Sequence, residues 1–266
     1  MYPSTKSPVS MDQLRSIAYL AGGIMKTYFT HFGMERVVKT DTTPLTKADT
    51  EINELVIDHI RKLSADIDIV GEEASDRTES PWQVVCDPVD GTFPYTWGMP
   101  VSTFMLGVMY ERTPVMGIIH DPFTDRMYHA ERYKGAWLNS KPLKVSSAVL
   151  RDDRPIVGFV SWPGCPYNIL KVCQYLEERG VTLVNLCSIG YIEAAVATGE
   201  FAGTIFTGTK HHDTVPGHII VEEAGGKVTN IFGSPLRYHN NEIDGHLMSN
   251  GFIHGLMVEA VTSCNL

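Results

Sequence analysis

The chain has 266 residues, and what it lacks narrows its function before any motif is considered. Its five cysteines, Cys86, Cys165, Cys173, Cys187 and Cys264, are scattered, odd in number and nowhere spaced CxxC. They read as reduced, mostly buried thiols, which excludes a disulfide framework and a zinc site. No apolar run is long enough to cross a bilayer, so membrane association is not expected. The first ten residues are polar and rich in Pro and Ser, without the apolar centre of a secretory signal, and a cytoplasmic location is the expectation. Lys and Arg never cluster with interleaved aromatics, so a nucleic-acid polymer is not an expected partner. Internal repeats are absent too.

What is present is an ordinary globular composition, 43% hydrophobic and 20% charged, in a chain long enough for one large domain or two packed halves. The formal net charge of −9 keeps the surface soluble, and an anionic ligand would need cations between it and the protein. Ser10 to Gln13 has capping-box spacing, and Leu14, Ile17, Ala21 and Met25 follow at helical period. A second helix is expected over 47–63. Strands are expected at 67–70, 83–86, 102–110, 115–120 and 126–130, with a hairpin around Asn139-Ser140. After Arg154 the pattern alternates: strand 155–160, helix 167–179, strand 181–187, helix 189–198, strand 201–206, helix 214–224, strands near 227–231 and 246–249, and a closing helix. The chain therefore divides into an α+β half, 1–150, and an α/β half, 151–266.

Four acidic positions stand where surface charges should not. Asp87 directly follows an apolar strand, and Asp90 lies three residues on in a turn favoured by Pro88 and Gly91. Glu72 also ends an apolar strand. Asp49 shares a helix face with Ile52, Val56 and Leu63. Buried carboxylates must be paired, protonated or bound to metal, and no Lys or Arg adjoins Asp87 or Asp90 in the sequence. Oxygen-only ligands suit a hard cation such as Mg²⁺. Each position also has an ordinary structural reading. The segment 87–92 reads equally as a turn, Asp49 as a first-turn residue on a helix dipole, and Asp213 as a cap for the helix from Thr214.

The ordered set resembles a known family. Gly71-Glu72-Glu73, then Asp87-Pro88-Val89-Asp90-Gly91-Thr92, then Asp213 followed by Glu223-Ala224-Gly225-Gly226, is similar to the inositol monophosphatase family, lithium-sensitive Mg²⁺-dependent phosphatases. Leu45 to Asp49 and Lys134 to Asn139 extend the likeness over most of the chain. The resemblance implies an αβαβα layered sandwich, shared with fructose-1,6-bisphosphatase, and a homodimer. It implies two or three Mg²⁺ ions held by Glu72, Asp87, the Val89 carbonyl, Asp90 and Asp213. Asp49 and Thr92, with Glu72, would serve the attacking water, and Asp90, Gly91 and Thr92 would face the phosphate. The implied activity is hydrolysis of a small phosphomonoester without a phosphoenzyme.

The haloacid dehalogenase-like phosphatases use D-x-D-G-T with the first Asp as nucleophile, but here that position is Pro88. A silent scaffold that binds a phosphorylated ligand is the non-enzyme alternative. The substrate side departs from the inositol-specific pattern. Phe206 stands where those members place a Glu seven residues before the metal-binding Asp, and His212 where they place a Trp. Ser188, Gly190, Phe206, Lys210 and His212 are the expected substrate-side residues, with His211 and His212 in an exposed loop. Bisphosphorylated nucleotides, fructose 1,6-bisphosphate and histidinol phosphate are the alternative substrates within the family.

Overall fold

The structure is a computed structural model that describes residues 7–33, 37–38, 44–149, 154–162, 164–239 and 242–264. Helix α1 (Met11–Tyr28) starts as its sequence dictates. The Ser10 hydroxyl accepts from the Gln13 N–H, and Gln13 Oε1 accepts from the Ser10 N–H at 2.8 Å. Leu14, Ile17, Ala18, Ala21 and Met25 are buried along one stripe. Helix α2 (Lys47–Leu63) packs beside it and buries Ala48, Ile52, Val56 and Ile60.

Both helices cover one face of an eight-stranded sheet built from residues 68–142. The inner strand Trp82–Asp90, third from one edge, is buried along almost its whole length. It pairs in parallel with Asp68–Gly71 and antiparallel with Thr103–Tyr110. Alternation sorts the core. Val84, Cys86, Phe104, Leu106 and Ile118 point toward α1 and α2, whereas Met105 and Ile119 point to the opposite face.

That opposite face is covered by α5 (Ile189–Ala197) and α6 (Val215–Glu223), and the short α3 (Thr92–Thr96) and α4 (Leu170–Glu177) precede them in the chain. The same two helices pack on a five-stranded sheet from residues 156–249, whose central strands are Ile156–Val160, Gly203–Phe206 and His246–Ser249. Helices α4 and α7 (His254–Ser263) complete the last layer. The order is helix pair, large sheet, helix pair, small sheet, helix pair, which is the expected αβαβα sandwich. Among the described residues no helix is long and apolar enough to cross a membrane.

Three expectations need correction. Helix 167–179 is only Leu170–Glu177, because the Asn168 side chain accepts the Leu170 N–H at 3.2 Å and holds the preceding residues out of the helix. Strand 181–187 ends at Asn185, whose side chain accepts the Cys187 N–H at 2.9 Å where Cys187 turns to φ 56°. Of the five thiols only Cys86 and Cys173 are buried, and the other three are partly exposed.

Candidate active site

The parallel strands Asp68–Gly71 and Trp82–Asp90 end side by side, and there the acidic residues gather. The Glu72 N–H donates to the Cys86 carbonyl at 3.0 Å, which sets Glu72 beside Asp87. Gly71 is required at this point, since a Cβ would lie 2.1 Å from Asn53 Oδ1 on α2. The close approach brings the strand end to the helix that carries Asp49. Pairing with the next strand shifts register between Asp87 and Asp90, which turns both carboxylates inward. Gly91 follows at φ 78°, a left-handed conformation that leads directly into α3.

Asp49 is fully buried. Its Oδ2 accepts from the Thr46 N–H at 2.8 Å and from the Thr46 hydroxyl at 2.5 Å, while its Oδ1 has no hydrogen-bond partner among the described residues. Carboxylate oxygens of Asp49, Glu72 and Glu73 lie within 4.8 Å of one another. Asp87 accepts from the Val89 N–H at 3.0 Å. Asp90 accepts from Thr103 at 2.9 Å, from the Ile189 and Gly190 N–H groups at 2.9 and 3.0 Å, and from the Ser188 hydroxyl. One carboxylate thereby ties the large sheet to the start of α5.

Burial and neighbouring carboxylates both act on these acids. Burial pushes Asp87 well above the usual carboxylate range, and Glu72, Asp90, Asp213 and Asp49 push it further. Burial also raises Asp90, against the hydrogen bonds from Ser188, Thr103 and α5. Asp49 rises to about 7 through burial, against its bonds to Thr46, with Glu72 and Glu73 adding to the rise. An all-oxygen donor set, an orphaned buried Oδ1 and mutual repulsion among carboxylates together fit divalent cations of the hard class.

The expected residues fall into two groups. Glu72, Asp87, Val89, Asp90, Gly91, Thr92 and Asp213 line a cleft of roughly 440 Å³, as do Phe206, Lys210 and His212. Asp49 lies beneath it. Ser188 and Gly190 are buried with Asp90, and Ile189 and Cys187 line the cleft at that point. The Thr92 hydroxyl donates to the Val89 carbonyl at 3.0 Å. His211 and His212 are not exposed: both are buried, and His211 packs edge-on against Tyr238. Their loop turns inward to start α6, so the polar sequence around 210–213 misleads. Glu73 and Thr46 went unassigned in the sequence, although Thr46-x-x-Asp49 has the capping spacing that marked α1.

The model of the inositol monophosphatase family matches residues 10–266. The chain belongs to this family. An inositol-1-monophosphatase of Synechocystis sp. is 28% identical over 230 residues, covering 82% of this chain and 77% of the relative. A 3′(2′),5′-bisphosphate nucleotidase, CysQ, of Escherichia coli strain K12 is 28% identical over 237 residues, 87% and 95% of the two chains. The solved structure of an IMPase from Thermotoga maritima superposes with a TM-score of 0.84 at 25% identity, over 95% and 98% of the chains. Membership of the family makes the chain a phosphoric monoester hydrolase.

A pH dependence follows from Asp49. Its carboxyl holds a proton in the folded state up to about pH 7 and in the unfolded state only to the ordinary Asp value, so its contribution to stability falls as pH rises between those values. At 1.36 kcal/mol per unit the full window amounts to roughly 4 kcal/mol. With divalent cations chelated, Asp49→Asn should therefore gain stability relative to wild type by up to that amount between pH 4 and 7. Urea denaturation at each pH measures it, and a difference independent of pH would show that Asp49 does not titrate in this way.

Proposed function

We propose that the chain is a Mg²⁺-dependent phosphatase that hydrolyses a small phosphomonoester by direct attack of water. The observation that carries the reading is the convergence of Asp49, Glu72, Asp87, Asp90 and Asp213 at one cleft, where Asp87 and Asp49 have no cationic side chain as a hydrogen-bond partner among the described residues. Glu72, Asp87, the Val89 carbonyl, Asp90 and Asp213 would hold two or three Mg²⁺ ions. Bound there, the ions would offset the charge of the phosphoryl group and make water a stronger acid.

The protein's own groups divide the remaining work. Asp49 is held by Thr46 through Oδ2 alone, which leaves Oδ1 to take a proton from the attacking water. Thr92, once released from the Val89 carbonyl, can pass that proton between water and carboxylate. The Gly91 and Thr92 N–H groups, at the left-handed turn, would orient phosphoryl oxygens. The alcohol then leaves toward Phe206, Lys210 and His212. Lithium inhibition, a homodimeric state and a cytoplasmic location complete the proposal on the family resemblance.

Phosphate release should be screened with and without Mg²⁺ on inositol 1-phosphate, 3′-phosphoadenosine 5′-phosphate, fructose 1,6-bisphosphate, histidinol phosphate and glycerol 2-phosphate. At least one ester should be hydrolysed, and chelation should stop it. Folded protein that releases phosphate from none of them at ample Mg²⁺ would overturn the reading in favour of a silent phospho-ligand binder.

A further inference from the structure

The cleft has two chemically different ends. One carries the carboxylates. The other is formed by Val160, Trp162, Pro166 and Phe206, and none of these side chains can accept a hydrogen bond. Val160 and Phe206 are paired residues at the ends of adjacent parallel strands, so the small sheet itself builds this wall. Phe206 is fixed from both sides, with Trp162 at 5.9 Å between ring centroids and His246 at 5.2 Å. Burial drives the His246 pKa down to about 3, so a neutral ring backs Phe206. Cys165, three residues after Trp162, makes a hydrogen bond to Thr207, the residue after Phe206. Trp162 itself is only half-buried and faces the cleft.

The polar groups lie elsewhere on the rim. Thr209, Lys210 and His212 line the cleft beyond Phe206, and the Lys210 ammonium is already engaged by Glu242 at 2.5 Å. A ring studded with hydroxyl groups, seated against Trp162 and Phe206, would leave hydroxyls without partners. Each hydroxyl held against this wall away from water carries a desolvation cost. A flat unsaturated ring meets no such penalty and gains face contact with the indole.

We propose that Trp162, backed by Phe206, is a ring-recognition subsite, and that the alcohol half of the substrate carries a flat unsaturated ring in place of a polyhydroxylated one. The proposal rests on the hydrolase reading for the position of the phosphoryl group, and it names the substrate class for that cleft. The acidic and apolar ends are continuous, so a single ester spans both.

Two measurements separate this inference from the reading beneath it. In the first, kcat/KM for Mg²⁺-dependent phosphate release is compared between benzyl phosphate, glycerol 2-phosphate and inositol 1-phosphate, whose leaving groups are all ordinary alcohols. Benzyl phosphate should be preferred, and Trp162→Ala should reduce its advantage over glycerol 2-phosphate by about tenfold, the lower range of base–aromatic stacking. Trp162→Phe, which keeps a flat ring, should retain most of it. In the second, benzylphosphonate and methylphosphonate, which cannot be hydrolysed, are titrated calorimetrically in Mg²⁺ against wild type and both variants. Benzylphosphonate should bind about tenfold more tightly, and only Trp162→Ala should abolish the difference. Equal binding of the two phosphonates, or an advantage untouched by Trp162→Ala, would overturn the subsite, as would a preference for inositol 1-phosphate. If the binding difference holds while no ester is hydrolysed, the subsite stands and the hydrolase reading falls.

Discussion

Asp90→Asn should abolish Mg²⁺-dependent phosphate release and also destabilise the protein, whereas Asp213→Asn should abolish release and leave the fold nearly intact. Both residues are proposed cation ligands, so either change removes charge from the same site. Transition-state charge stabilisation by a bound cation amounts to several kcal/mol, and at 1.36 kcal/mol per tenfold the loss is roughly 10³-fold in kcat. The two differ in what else they hold. Both Asp90 oxygens are occupied: Oδ1 accepts from Ile189, and Oδ2 from Gly190, Thr103 and Ser188. An amide has one acceptor and turns its NH₂ toward at least one of these donors, leaving buried groups unpaired at about 1–3 kcal/mol each. Asp213 is less buried and contacts His212 at 3.7 Å. Phosphate release and urea denaturation on both variants give the comparison. Substantial activity in Asp213→Asn would remove it from the cation site, and wild-type stability in Asp90→Asn would mean that its bonds to α5 do not join the layers.

How much of this was legible in the sequence depends on the range of the interaction. Local chemistry was readable. The Ser10 and Gln13 spacing became the α1 cap, and the inward face of α2 placed Asp49 correctly because helical period alone decides which side a residue faces. The segment 87–92 read as a turn, but the strand continues to Asp90 through a register shift that points Asp87 and Asp90 the same way, and α3 begins at Thr92. Pairing partners were not readable. Nothing local says that Asp68–Gly71 runs parallel to Trp82–Asp90, yet that pairing is what puts Glu72 beside Asp87. The roles of Ser188 and Gly190 were hidden for the same reason, since they depend on a carboxylate about a hundred residues earlier. The apparent polarity of Lys210, His211 and His212 pointed outward, but the chain buries both histidines to start α6.

Glu193 and His246 were invisible for a further reason: a lone acid in an apolar helix and a lone His before an apolar strand look like surface residues. Both are completely buried, with His246 Nε2 at 3.1 Å from Glu193 Oε1. Burial raises the carboxyl well above its usual range and lowers the imidazole, so burial favours the neutral form of each, and their close approach falls short of hydrogen-bond geometry. The other ring nitrogen, Nδ1, lies 3.1 Å from the hydroxyl of Thr214, the residue immediately after Asp213 and before the first turn of α6. His246→Leu should therefore destabilise by roughly 1–3 kcal/mol, since it leaves the Thr214 hydroxyl buried without this partner and sets Glu193 beside an apolar side chain. The double variant Glu193→Leu/His246→Leu should recover much of that loss, because an apolar pair of similar volume avoids the burial penalty of both polar groups. Urea denaturation of the two single variants and the double variant closes the cycle. If the two single losses simply add, the residues do not interact, and α6 with its Asp213 is held by packing alone.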